Sequence, residues 1–276
     1  MPYLTIPGES PIQLYYRDSG GEGRPIVLIH GWPLSSEAWA EQIPDLERSG
    51  HRVIAYDRRG FGKSAKTPDG YDYDTLAADL DQFMTQLDLR DAVLVGFSMG
   101  GGEVARYVGR YGEDRLAGVV FAAAITPALC VTPDNPDGAM GIEGFMDLRQ
   151  QCRADRDAFV PTFMTWFFSN PSELAVTQQQ FQDALAIGAQ GSDTALQDCI
   201  VAWAADFRED VKKIGVPTLV IHGNADNNVP FEASGARMPD MIPGAQLVEI
   251  DHGPHGINVS HAGEFNAALL SFLMTL

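Results

Sequence analysis

Seven short runs of apolar and β-branched residues, bounded by glycine or proline, constrain this chain more than any other feature. They are PIQLYYRDSG, PIVLIHGWP, HRVIAYDRRGFG, AVLVGFSMGGG, GVVFAAAITP, VPTLVIHGNAD and AQLVEIDHGPHG. Their hydrophobicity is continuous where a half-exposed strand would alternate, which is the pattern of strands covered on both faces. Helical periodicity lies between several of them. In Tyr73 to Asp88, for example, Leu76, Leu80, Phe83, Met84 and Leu87 fall on one face. Strand, helix, strand repeated in this way predicts an α/β fold on a doubly wound parallel sheet.

That rhythm stops after Thr126-Pro127 and resumes at Val216. The segment between them carries aromatic and methionine-rich helical stretches such as FMDLRQQCR and AFVPTFMTWFF, and no convincing strand. The expected organisation is a core of residues 1–126 and 214–276 with a helical cap insertion at 127–213. The two halves of the sheet flank the insertion, so independently folding domains are not expected.

A formal charge of −18 repels phosphate backbones and anionic lipid surfaces at long range, which argues against nucleic-acid and membrane partners. No apolar stretch reaches the ~18 residues of a membrane span, and the amino terminus MPYLTIPGES lacks a basic and then apolar leader pattern. A cytoplasmic protein is expected. Cys130, Cys152 and Cys199 are odd in number and widely spaced, without zinc or redox-motif spacing, and read as buried free thiols.

The strongest chemical signal is Gly96-Phe97-Ser98-Met99-Gly100, a G-x-S-x-G between the strand AVLV and the helical stretch MGGGEVARYVGRYG. A serine at a tight strand-to-helix turn is held above the carboxyl ends of the strands, where open α/β sheets place their ligands. The helix that follows directs its N-terminal dipole at negative charge developing beside Ser98. Such a serine needs a base, and the base needs an orienting acid. In chain order the acid should follow the strand TLVIHG, where Asp226 lies in the loop NADNNVP; the preceding strand offers no carboxylate. The base should follow AQLVEI, in the loop DHGPHG, which contains both His252 and His255. His255, between Pro254 and Gly256, has the longer loop with which to curl back toward Ser98. His252 reads as a polar loop residue, and His30, His51 and His261 as structural. Oxyanion donors should be the backbone N–H of Met99 and one from the loop after PIVLIHG. Pro33 has no N–H, so Trp32 is the candidate, with its indole walling the acyl side of the pocket.

From about Ile12 onward the chain resembles the α/β-hydrolase superfamily, and within it the cofactor-free bacterial haloperoxidases or perhydrolases with their aryl esterase and γ-lactamase relatives. The residues carrying the resemblance are LIHGWPLS, YDRRGFGKS, YDYDTLAADL, VGFSMGGGEVARYVGRYG, DFREDVKKIGVPTLVIHGNADNNVPFEASG and the Pro254-His255-Gly256 loop. The resemblance implies a mostly parallel eight-stranded sheet, a Ser98, Asp226, His255 triad, and Trp32 and Met99 as oxyanion donors. It implies hydrolysis of small carboxylic esters through an acyl-enzyme, with hydrogen peroxide as a second acceptor in perhydrolysis. No haem, vanadium or other metal is implied as cofactor. Pro33 after the aromatic residue favours the haloperoxidase-like branch. Ile125, Leu129, Phe145, Phe159, Phe163 and Val229, with Trp32, stand where relatives line the acyl pocket. Asn228 departs from the aliphatic residue that relatives often carry, and ALCVTPDNPDGAMGIEG has no close counterpart, so substrate preference is open. A homo-oligomer is compatible with the sequence without being specified by it.

Three rival readings remain. An amide or γ-lactam hydrolase would use the same catalytic parts. Haloalkane dehalogenases and epoxide hydrolases need a carboxylate nucleophile where this chain has Ser98. A non-catalytic binding protein could reuse the fold, since fold alone does not fix function.

Overall fold

In the computed structural model, which describes residues 3–8 and 10–276, the apolar runs become strands of one sheet. Its strands are β1 (Tyr3–Ile6), β2 (Ile12–Asp18), β3 (Pro25–Ile29), β4 (Arg52–Tyr56), β5 (Ala92–Phe97), β6 (Leu116–Ala122), β7 (Thr218–Gly223) and β8 (Gln246–Ile250). Among the described residues they form an eight-stranded sheet in the order β1-β2-β4-β3-β5-β6-β7-β8. The β1–β2 and β2–β4 pairings are antiparallel and all the others parallel, in keeping with the doubly wound expectation. β5 and β7 are buried at every position, while β8 at the edge exposes most of its residues. Continuous hydrophobicity therefore tracks central strands covered on both faces, as the physics of parallel sheets requires. β1 is the strand that the apolar runs did not disclose; it is the four residues YLTI.

Helices α1 (Ile43–Arg48), α2 (Tyr73–Gln86) and α3 (Met99–Tyr111) connect the strands of the first half. α2 begins where the Asp72 carboxylate accepts from the Thr75 N–H at 2.9 Å, and it buries Leu76, Leu80, Phe83 and Met84 against the sheet. Between β6 and β7 lie α4 (Ile142–Ala154), α5 (Arg156–Phe168), α6 (Gln178–Gly188), α7 (Asp193–Ala202) and the short α8 (Arg208–Val211). Extended pairing in residues 127–213 is limited, among the described residues, to isolated bridges such as Ala128–Asp206 and Cys130–Met140. α5 buries Phe159, Val160, Phe163, Met164, Phe167 and Phe168 along one side, while Ala158, Thr162, Thr165 and the apolar Trp166 on the other side stay exposed. The chain then returns through β7, α9 (Met238–Met241) and β8 to α10 (Ile257–Ser260) and α11 (Ala262–Leu273). All three cysteines are buried free thiols. Among the described residues no helix is long and apolar enough to cross a membrane.

Candidate active site

The site is assembled where β5, β7 and β8 end. Ser98 follows β5 directly and precedes the first turn of α3, with φ 54° and ψ −118°. Such a backbone costs a non-glycine residue about 1–3 kcal/mol and persists only when its surroundings hold it. Here the Ser98 N–H donates to the Ala122 carbonyl at 2.8 Å, and the Ser98 carbonyl accepts from the Gly101 N–H at 3.0 Å. The flanking glycines are required by contact. A Cβ on Gly96 would lie 2.5 Å from the Gly100 carbonyl oxygen and 2.8 Å from the Gly101 Cα, and one on Gly100 would collide with the Ile29 carbonyl. Strand, turn and helix are thereby packed backbone to backbone, and the serine hydroxyl is carried to the top of the sheet.

The loops after β7 and β8 are tied together at their bases. Asn224 N–H donates to the Ile250 carbonyl at 3.1 Å and Ala225 N–H to the Gly253 carbonyl at 3.0 Å. Those bonds bring Asp226 and His255 into one hydrogen-bonded line with Ser98. His255 Nδ1 lies 2.6 Å from Asp226 Oδ2, and His255 Nε2 lies 2.8 Å from Ser98 Oγ. A carboxylate only accepts, so Nδ1–H donates to Asp226 and Nε2 offers its lone pair to the Ser98 hydroxyl. The imidazole is clasped by Phe97 at 5.3 Å and by Phe167 edge-on at 4.7 Å between centroids. His252 is elsewhere, with its side chain 77 % exposed and its nearest charged neighbour Asp251 at 3.7 Å.

Asp226 is fully desolvated, and its two oxygens are held separately. Oδ1 accepts from the Asn228 and Val229 N–H groups at 2.9 and 2.8 Å. Oδ2 faces His255 and also His222 Nε2 at 3.2 Å. Burial pushes the Asp226 carboxyl upward, but the charge of His255 and the hydrogen bonds of His222 and His255 more than offset this, leaving it at about 2. His222 Nε2 also lies 2.9 Å from the Val229 carbonyl, which can only accept, so the proton sits on Nε2 and His222 braces the acid loop. Sequence reasoning passed over His222 because, within the run TLVIHG, it reads as one more position of a buried strand.

Above the serine, the backbone N–H groups of Trp32 and Met99 have no hydrogen-bond acceptor among the described residues. The loop carrying Trp32 lies against Ser98: a Cβ on Gly31 would stand 2.9 Å from the Ser98 Cβ. His30 supports that loop from below. Its Nε2 accepts from the Arg58 N–H at 3.0 Å, so Nδ1–H donates to the Gly31 carbonyl at 2.8 Å. Burial and then the Arg58 charge hold His30 well below the ordinary histidine value, and it stays neutral. The Arg58 guanidinium donates to the His30 carbonyl at 2.7 Å and pairs with Glu103 of α3 at 2.5 Å, both side chains being buried. Tyr56 O–H donates to the other Glu103 oxygen at 2.5 Å. Sequence reasoning gave His30 a supporting part; Arg58, Tyr56 and Glu103 went unremarked because nothing in their spacing announces a buried pair.

Ser98 and His255 open onto a cavity of about 110 Å³. Of the sequence-predicted pocket residues, Trp32, Ile125, Leu129, Phe145, Phe163 and Val229 line it. Phe159 does not; it packs behind Trp32, at 6.2 Å between centroids. The cavity wall also includes Met140, Leu148, Trp166, Trp203, Asn227 and Asn228. Trp32 is locked in the wall by its indole N–H, which donates to the Leu196 carbonyl at 3.1 Å.

The family model for the alpha/beta hydrolase fold matches residues 24–262. A non-heme chloroperoxidase of Kitasatospora aureofaciens is 42% identical over 99% of both chains. A bifunctional esterase/perhydrolase of Acinetobacter calcoaceticus is 37% identical over 99% of both. The crystal structure of a bromoperoxidase from Bacillus anthracis superposes with a TM-score of 0.94 at 45% identity, covering 99% of each chain.

Proposed function

The chain belongs to the α/β-hydrolase fold family, and from that premise we propose that it is a serine hydrolase of small carboxylic esters with perhydrolase activity. The observation that carries this reading is the hydrogen-bonded line from Ser98 through His255 to Asp226, at 2.8 and 2.6 Å, opening onto a largely apolar cavity. Ser98 Oγ attacks the ester carbonyl while His255 Nε2 takes its proton, and Asp226 steadies the imidazolium. The Trp32 and Met99 amides bind the oxyanion, each such donor being typically worth about 3 kcal/mol in the transition state. His255 returns the proton to the leaving alcohol, and an acyl group remains on Ser98.

Water then attacks the acyl carbonyl with His255 as base, giving the acid and free Ser98. When hydrogen peroxide attacks instead, one of its two equivalent oxygens bonds to the acyl carbon as His255 takes its proton, the Ser98 ester bond breaks with that proton returned to Ser98 Oγ, and a peracid leaves. The peracid oxidises halide in solution. The names of the relatives, a chloroperoxidase and an esterase/perhydrolase, support both outcomes. In the same reading residues 127–213 act as a cap, since Phe145, Leu148, Phe163, Trp166 and Trp203 from this segment face the reacting serine across the cavity. Cytoplasmic residence belongs to this reading too, in keeping with three unpaired thiols.

The test is hydrolysis of 4-nitrophenyl acetate by wild type and Ser98→Ala, with peracid formation followed in parallel as bromide oxidation after adding hydrogen peroxide. Both activities should vanish together in the variant. Hydrolysis that survives in Ser98→Ala would sink the assignment.

A further inference from the structure

Two imidazoles approach one oxygen of Asp226. His255 Nδ1 lies 2.6 Å from Oδ2 and His222 Nε2, near the end of β7, lies 3.2 Å from it, all three side chains being buried. The proposed acyl transfer employs only the first. A second N–H beside the same oxygen is not neutral for the first, because positive charge and donors placed on a carboxylate reduce the charge it presents elsewhere. The His222 ring is fixed where it stands. A Cβ on Gly235 would lie 2.6 Å from His222 Nδ1 and 2.8 Å from its Cγ, so the backbone after the acid loop closes on the ring, and Phe231 covers it at 5.7 Å between centroids. His222 Nδ1 is buried without an acceptor among the described residues. A proton there would be an unpaired buried donor, and Nε2 would turn its lone pair toward two oxygens. The proton therefore sits on Nε2, given first to the Val229 carbonyl at 2.9 Å and shared with Asp226 Oδ2 as a three-centre donor.

Other charges around the two rings are engaged elsewhere or face solvent. Ser98 Oγ, Phe97 of β5 and Phe167 of α5 cover the rest of His255. Asp251 and His252 on its own loop and Glu249 of β8 are exposed, and Glu103 of α3 is paired with Arg58. Asp157 stands at the opposite end of α5 from Phe167 and is exposed. In the segment packed on His222, Glu232 is exposed and the Arg237 guanidinium donates to the Ala128 and Ala233 carbonyls and to Asn135.

Resting on the ester-hydrolase reading, we propose that His222 is a positioning residue that takes a share of the Asp226 charge at the oxygen facing His255, so that the enzyme becomes active at a lower pH than a triad without it. The sign follows from the carboxylate. The less negative charge Asp226 presents, the less it favours the imidazolium over the neutral ring that accepts the Ser98 proton. Burial pushes the Asp226 carboxyl upward, and the charge of His255 with the hydrogen bonds of both rings brings it down to about 2, in keeping with two donors on it. A residue that only braced the loop would act with the opposite sign. Its loss would let Asp226 draw away from His255, and the imidazolium would then be held less firmly.

The experiment is the pH dependence of kcat/KM for 4-nitrophenyl acetate in wild type, His222→Phe and His222→Gln, with thermal melting to confirm folding across the range. The acid limb reports protonation of the base in the free enzyme. His222→Phe keeps a ring and removes its N–H, and its acid limb should move up by about one pH unit. His222→Gln carries an amide nitrogen where Nε2 stood, still donates, and should keep the wild-type limb. KM should change little in either variant, since His222 is not part of the cavity wall. An acid limb that is unmoved or lowered in folded His222→Phe overturns the proposal, as does one raised equally in His222→Gln. If His222→Phe does not fold, ¹⁵N shifts of the wild-type imidazoles decide: a His222 proton on Nε2 supports the proposal and one on Nδ1 overturns it. When Ser98→Ala abolishes hydrolysis, an overturning result removes only the role of His222. If Ser98→Ala still hydrolyses ester, the ester-hydrolase reading falls and this role falls with it.

Discussion

Replacing Asp226 with Asn probes the proposed triad without changing its shape, and the structure fixes which way the new carboxamide must face. One oxygen of Asp226 accepts two backbone N–H groups, from Asn228 and Val229, while the other faces His255 and also, at 3.2 Å, His222, whose N–H retains the Val229 carbonyl as acceptor. An asparagine that turned its NH2 toward those amides would oppose two buried donors, at about 1–3 kcal/mol for each one orphaned. It therefore keeps its oxygen on the amides and presents N–H to His255 Nδ1. That nitrogen must then accept, the ring proton moves to Nε2, and Nε2 can no longer take the Ser98 proton. The wrong tautomer in a serine triad costs about 10⁴ in kcat, equivalent to about 5.5 kcal/mol of transition-state stabilisation. KM should move little, because Asp226 is not part of the cavity wall. The assay is steady-state hydrolysis of 4-nitrophenyl acetate at pH 7.5, with thermal melting to confirm folding and ¹⁵N chemical shifts of the imidazole to read its tautomer. A folded Asp226→Asn variant that keeps more than about a tenth of wild-type kcat would refute the reasoning, since a misplaced proton cannot be that mild.

Further outcomes follow from the same geometry. His255→Ala should lose nearly all turnover and His252→Ala should keep most of it, because the His252 side chain is exposed and apart from the hydrogen-bonded line; equal losses would mean that the wrong histidine carries the proton. Arg58→Leu should lower stability by about 3–5 kcal/mol in urea melts, since it strands the buried Glu103 carboxylate without its partner; a change under about 1 kcal/mol would show the pair to be dispensable. The Asp226 carboxyl sits at about 2 in the folded chain against 3.8 for a free aspartate, so its stabilising share is complete above pH about 4 and is lost as the pH falls toward 2. Urea melts of wild type and Asp226→Asn should accordingly converge by about 2 kcal/mol over that window, and a gap that stays constant through it would contradict the assignment.

The hydrogen-bonded line of Ser98, His255 and Asp226 is legible in sequence because each member is tied to a strand end. Ser98 is announced by glycines that contact requires, Asp226 is the one carboxylate in its loop, and chain order then singles out DHGPHG. Choosing His255 over His252 needed only loop length, since the bonds joining Asn224 and Ala225 to the last loop leave His252 outside. The central strands are legible for a similar reason, continuous burial producing continuous hydrophobicity, whereas YLTI is too short to show a pattern. The pocket is less legible. α5 is apolar around most of its surface, so periodicity does not say which phenylalanine lines the cavity: Phe163 does, while Phe159 lies one turn away behind Trp32. Trp166 and Trp203 reach the cavity through the way the helices rest on the sheet, which is a property of tertiary packing. The Arg58–Glu103 pair joins residues far apart in sequence, and only the approach of β4 and α3 turns two ordinary charges into a buried bridge.

The most direct test of Ser98 as the nucleophile is covalent capture with a 4-nitrophenyl alkylphosphonate, followed by intact mass and peptide mapping as esterase activity declines. One phosphonyl group should add per chain, on Ser98, in proportion to the activity lost, and the Ser98→Ala protein should take up none. Complete exposure that leaves the protein unlabelled and fully active, or inactivation through a different residue while Ser98→Ala still hydrolyses ester, would contradict it.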